Sequence, residues 1–221
     1  QMEYLPGGDL NHLLYSSSSN NKMKGQQTSL RWSVRYRILI DVAAGMRYLH
    51  HEVKPAVLHR DLRSANVFLT CPGAMSADAS GVWAKVADFG QSRREGSRTQ
   101  GALPNWEWLA PEVWSGGEGW EYDEKSDVYS FGLLLHEMST LSVPFSEFYD
   151  MPQFQKNGKM APLRLKQAIV QDKLRPSPPS PATTGTDDRL ITLIYACLHD
   201  NPTSRPSFEV IHSTLRLLAG V

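Results

Sequence analysis

Features that would assign this chain to a narrow class are scarce. Only two cysteines, Cys71 and Cys197, occur in 221 residues. They lie far apart and match no metal-ligand spacing, which argues against a disulfide framework or a zinc site and suits free thiols in a reducing, intracellular compartment. Neither sign of charge is in excess, with Lys plus Arg and Asp plus Glu at 23 each. Without a net field, neither nucleic acid nor an anionic membrane surface is indicated as a partner. No apolar run approaches the roughly 20 residues that span a bilayer, and no basic-then-apolar signal segment opens the chain. Internal repeats are absent. What is present is 41% hydrophobic sequence, enough to bury the core of one or two globular domains. The first residue is Gln1, inside an apolar stretch, so the expectation is a piece of a longer polypeptide.

Periodicity predicts a mainly α chain with a small β element. "GGDLNHLLYS" reads as a turn and a short helix capped by Asp9. Residues 16–29 are a polar, low-complexity run unable to bury enough apolar area to fold alone. Ile38, Leu39, Val42, Met46 and Leu49 recur at helical spacing and mark a long amphipathic helix between Ser29 and His51. "NVFL" (66–69) and "WAKVADF" (83–89) predict a small hairpin with an elongated loop. Residues 125–141 are apolar nearly all round, the pattern of a deeply buried helix. Further helices are predicted over 163–174, stopped by "RPSPPSP", and over about 187–199 and 207–218.

The chemistry concentrates in a series whose order matters more than any triplet in it. Within "VLHRDLRSANVFL", Asp61 is followed five residues later by Asn66; "DFG" follows at Asp88, Phe89 and Gly90, and "APE" at Ala110, Pro111 and Glu112. That series is the protein-kinase signature. Over nearly its whole length the chain resembles the C-terminal lobe of a eukaryotic protein kinase, with "KSDVYSFGLLLHEM" similar to that lobe's central buried helix and "NPTSRPSF" to its closing turn.

The resemblance implies a division into a hinge remnant over 1–8 and a kinase C-terminal lobe over 9–221, with the catalytic loop at 57–66 and the activation segment at 88–112. It implies ATP and Mg²⁺ as cofactors and a protein as substrate. Phosphoryl transfer demands positioning and charge neutralisation rather than covalent catalysis. Asp61 would accept the substrate hydroxyl's proton, Arg63 would reach the γ-phosphate, and Asn66 and Asp88 would hold the metal. Met2 would be the gatekeeper, Glu3 and Leu5 would offer backbone groups to adenine, Asp9 would lie near the ribose, and Phe68 would floor the base. His59 and Phe89 would stack as core residues, and Glu112 and Arg205 would form a buried ion pair. Asp127 would accept from the catalytic-loop backbone. Arg60 would meet a phosphate on the activation segment, for which Ser92, Ser97 and Thr99 are the available acceptors, Arg94 and Arg98 lying nearby.

By the same resemblance the glycine-rich loop, the strand lysine and its glutamate partner would lie before Gln1, so the missing N-terminal lobe is an implied partner and the chain alone is expected to be inactive. Asn105, three residues before Trp108, stands where tyrosine kinases usually carry proline, which favours Ser/Thr specificity with Tyr as the alternative. "DLRSANVFL" with "NWEWLAPE" is most similar to the Roco kinases of the tyrosine-kinase-like group, although Pro104 departs from their usual glycine. The competing expectation is a non-catalytic module, a pseudokinase or truncated product that acts by docking.

Overall fold

In the computed structural model, residues 3–15, 30–71, 81–95, 105–115, 122–149, 151 and 161–221 are described. In chain order they form α1 (Leu10–Tyr15), α2 (Trp32–Arg47), β1 (Val57–Leu58), β2 (Val67–Leu69), β3 (Ala84–Val86) and β4 (Arg93–Arg94). Then follow α3 (Pro111–Ser115), α4 (Glu124–Thr140), α5 (Ser146–Tyr149), α6 (Ala161–Gln171), α7 (Pro181–Thr184), α8 (Asp188–Cys197) and α9 (Phe208–Ala219). No described helix is long and apolar enough to cross a membrane.

Helix α4 is the post around which the rest is arranged. Asp123 caps it by accepting from Ser126 N–H at 3.0 Å, and every residue from Ser126 to Ser139 is buried. Its close neighbour α8 is admitted by a missing side chain: a Cβ on Gly132 would lie 2.8 Å from Cys197 Cβ. At the other end, the orphan carbonyls of the last turn meet a buried cation. Arg35 of α2 donates through Nη1 to Met138 O (2.9 Å) and Ser139 O (3.2 Å), where the helix dipole favours positive charge. Helix α2 in turn packs on α9 and on β3. The predicted long helix is therefore present, ending at Arg47 and widening into a π-turn over Tyr48–Glu52.

The β content is two antiparallel pairs. β2 and β3 form the expected hairpin, with Val67 opposite Val86, Phe68 opposite Lys85 and Leu69 opposite Ala84. The second pair, β1 with β4, was not foreseen, because the exposed Arg93–Arg94 carries no apolar alternation. The segment before α1 adds to β2: Gly7 N donates to Leu69 O and Leu69 N donates to Gly8 O, each at 2.9 Å. Gly7 is required there, since a Cβ would come within 2.5 Å of Leu69 O.

Candidate active site

The polar loop sits at the surface of this post because its backbone is bound to it. Asp127, on the first turn of α4 and fully buried, accepts from His59 N (2.8 Å), Arg60 N (2.9 Å), Tyr122 Oη (2.7 Å) and His50 Nε2 (2.8 Å). Burial alone would raise its carboxyl; the bond to His50 and the surrounding donors outweigh it and hold the group below the usual carboxylate value. The loop accordingly tolerates Arg60 at φ 72°, in the left-handed region that a side chain of this size rarely occupies.

Held this way, the loop presents one carboxylate to three groups. Asn66 Nδ2 donates to Asp61 O (2.7 Å) and Asp61 Oδ2 (2.8 Å). Asn105 Nδ2 donates to Asp61 Oδ1 (2.9 Å), and Arg63 Nε stands 3.5 Å from the same oxygen. Asn66 immediately precedes β2, and Ala87 N donates to Asn66 O at 2.9 Å, which brings Asp88 alongside. His59 completes the tie: its Nδ1 accepts from Asp61 N (3.3 Å), assigning the ring proton to Nε2, which meets Ala87 O at 3.0 Å.

Beyond Ala87 opens a cavity of about 640 Å³. Glu3, Tyr4, Leu5, Phe68, Asp88 and Phe89 are among the residues that line it. The predicted site residues thus divide in two. Glu3, Leu5, Phe68 and Asp88 share the cavity; Asp61, Arg63 and Asn66 form the adjoining polar cluster. Asp9 stands apart from both lists, capping α1 through His12 N at 2.7 Å while its backbone bridges to Phe68. Oxygen donors suited to a hard cation are the exposed Asp88 carboxylate and the Asn66 amide oxygen, left over after both Asn66 Nδ2 bonds go to Asp61.

One expectation needs correction. Phe89 does meet His59, ring centroids 5.2 Å apart and tilted by 60°, yet it is 48% exposed rather than core. The reason is its position: one side faces His59 and the other forms cavity wall. Arg60 is buried, its guanidinium 5.5 Å over the Tyr122 ring, and its Nε and Nη2 find no partner among the described residues. Ser92 Oγ donates to His59 O at 3.1 Å; Met2, Arg98, Ser97, Thr99 and Pro104 lie outside the described residues. Glu112 and Arg205 pair bidentately at 2.6 and 2.8 Å, with Arg205 fully buried.

Two features escaped sequence reasoning. Asn105 is bonded to Asp61, a contact hinted at only by an Asn fit for its left-handed φ of 57°. Glu137 of α4 binds Tyr15 and Ser64, and nothing in an apolar helical run marked it as more than a buried oddity.

A helical lobe whose buried post grips a polar loop beside an apolar cavity is the large-lobe architecture of protein kinases. The chain belongs to the protein tyrosine and serine/threonine kinase family, whose profile matches residues 1–215. It is 39% identical over 211 residues, 95% of its length, to the probable serine/threonine-protein kinase qkgA of Dictyostelium discoideum. It is similarly 37% identical over 213 residues to the probable serine/threonine-protein kinase roco11 and 34% identical over 226 residues to roco5, from the same organism. In these matches it covers 95% and 100% of itself. The chain spans only 12%, 12% and 7% of those three proteins.

Proposed function

We propose that the chain is the C-terminal lobe of a Roco-like serine/threonine kinase of the tyrosine-kinase-like group, which transfers the γ-phosphoryl group of ATP to a protein hydroxyl. The observation that carries this reading is the clustering of donors on Asp61, two residues from Arg63, with Asn66 joined by one backbone hydrogen bond to Ala87, the residue before Asp88. Asp61 accepts the proton of the substrate hydroxyl as its oxygen bonds to phosphorus and the bridging bond to ADP breaks. Arg63 faces the γ-phosphate. Asn66 and Asp88 would hold Mg²⁺, a hard ion suited to their side-chain oxygens. When bound, the metal neutralises charge on the phosphate oxygens.

Adenine enters the cavity over Phe68, with the backbone of Glu3 and Leu5 as its hydrogen-bonding edge and Asp9 toward the ribose. Residues 1–8 act as the hinge and 9–221 as the lobe proper, and a small lobe completes the site. Arg60, buried with two nitrogens that have no hydrogen-bond partner among the described residues, would meet a phosphate from the activation segment. The names of the relatives support the Ser/Thr and Roco assignments, as does an amide rather than a proline at Asn105.

The test is a peptide phosphorylation assay on the full-length protein. Asp61→Asn is expected to lower kcat by roughly 10² to 10⁴. Unchanged turnover removes Asp61 from its role.

A further inference from the structure

Glu137, Tyr15 and Ser64 form a buried node that none of the roles above uses. It joins three elements: α4, α1 and the 3-10 turn Ser64–Asn66 that leads into β2. Glu137 is fully buried. Its Oε1 accepts from Tyr15 Oη at 2.9 Å and from Ser64 Oγ at 3.0 Å, while Oε2, equally out of water, has no partner among the described residues. Asn11 of α1 reaches the same Ser64 hydroxyl through Nδ2 at 3.4 Å. The titratable group facing Glu137 from α1 is Tyr15; the charged group acting on it from the catalytic turn is Arg63.

One oxygen carrying two donors and the other carrying none leaves the node divided between protonation states. As a carboxylate, Glu137 keeps both hydroxyls but leaves a bare oxygen in the interior, which is costly. As an acid, it must place its proton on Oε2, where no acceptor lies, or on Oε1, where it displaces one hydroxyl donor. Protonation therefore weakens the hold on Ser64. Burial pushes the Glu137 carboxyl up to about 7, against the pull of the Tyr15 and Ser64 hydroxyls and of Arg63.

We propose that Glu137 is a positioning residue for the catalytic turn, acting through Ser64 and only as the carboxylate. Ser64 opens the turn that Asn66 closes, and Asn66 holds Asp61 by two hydrogen bonds. Releasing Ser64 loosens the carboxylate that receives the substrate proton. This inference rests on the kinase reading.

The experiment measures kcat and KM of the full-length protein for a peptide substrate from pH 6 to pH 8.5, in wild type, Glu137→Gln, Ser64→Ala and Tyr15→Phe. Wild-type kcat is expected to fall as pH drops through about 7, with the KM for ATP unmoved. Glu137→Gln and Ser64→Ala are expected to lie on the order of tenfold to a hundredfold below wild type at high pH, with that limb gone. Tyr15→Phe removes one donor to the carboxylate, so its limb moves to higher pH. A limb that persists in Glu137→Gln, or stays in place in Tyr15→Phe, overturns the proposal; if Glu137→Gln does not fold, the other two variants decide.

A second readout needs no catalysis. A carboxyl raised on folding stabilises the protein below its unfolded value of 4.5, and that contribution is lost as pH rises to about 7. The thermal midpoint of wild type relative to Glu137→Gln must therefore change with pH in that window, and relative to Tyr15→Phe it must change above about 7, where wild type is ionised and the variant is not; a difference that stays constant in these ranges also overturns the proposal. If this titration is seen while wild type transfers no phosphate, the kinase reading fails and the positioning role with it, though the buried carboxyl stands.

Discussion

Single side chains in the core show which polar groups the fold serves and which it merely tolerates. Tyr129 is fully buried between two guanidinium groups, Arg175 at 5.3 Å and Arg205 at 5.1 Å from its ring centre, and its hydroxyl has no partner among the described residues. The ring is what the site uses. Tyr129→Phe should therefore leave the thermal midpoint unchanged or raise it, removing a desolvation cost of about 1–3 kcal/mol; Tyr129→Leu should lower it. His136 behaves differently. Its Nε2 meets Ser177 O at 2.8 Å, and burial lowers the ring below its ordinary 6.5 despite that carbonyl and nearby Glu147. A histidine depressed on folding stabilises the protein above its unfolded value, and that contribution is lost as pH falls through 6.5 and below. Urea titrations of wild type and His136→Gln should diverge in slope below about pH 6.5 and run parallel above it. A common slope throughout would remove His136 from the acid-sensitive set.

Among the elements, close constraints arise where helices meet. Gly132 lets α4 and α8 approach closely, so Gly132→Ala should cost about 1–3 kcal/mol through overpacking against Cys197 and Leu198. A midpoint shift within error would show that α8 yields freely. The turn between α8 and α9 is tied to α3 by Arg205, which also donates to His199 O and Lys125 O, each at 2.9 Å. Truncating the partner of a buried charge costs about 3–5 kcal/mol. Because Glu112 is 28% exposed and those carbonyls remain, Glu112→Ala belongs at the lower end of that range, measurable by chemical denaturation. These ties were legible as residues: the resemblance to a kinase lobe named Glu112, Arg205 and Asp127. The helices α2, α4 and α9 were legible through periodicity. β1 and β4 were not, because two-residue strands built on exposed arginines are set by pairing across space, and no local pattern records that.

On the scale of the whole molecule, the cavity and the polar cluster form one surface. The sequence supplied the members of both, but their arrangement depends on backbone bonds from Gly7 to Leu69 and from Ala87 to Asn66. Nor could it tell that Phe89 lies on the cavity wall with nearly half its surface open. The proposed function calls for a second lobe to complete the nucleotide site. The chain by itself should show no turnover above background in a radiolabelled phosphate-transfer assay. Steady turnover from residues 1–221 would refute the proposed need for a second lobe.

The grip of Asp127 on the loop goes to main-chain amides at two successive positions, atoms that every amino acid but proline carries. Nothing in that attachment depends on which side chains the loop displays. Such a mount lets the displayed groups be exchanged over time while their platform keeps its shape, so the loop's chemistry and its architecture are free to change separately.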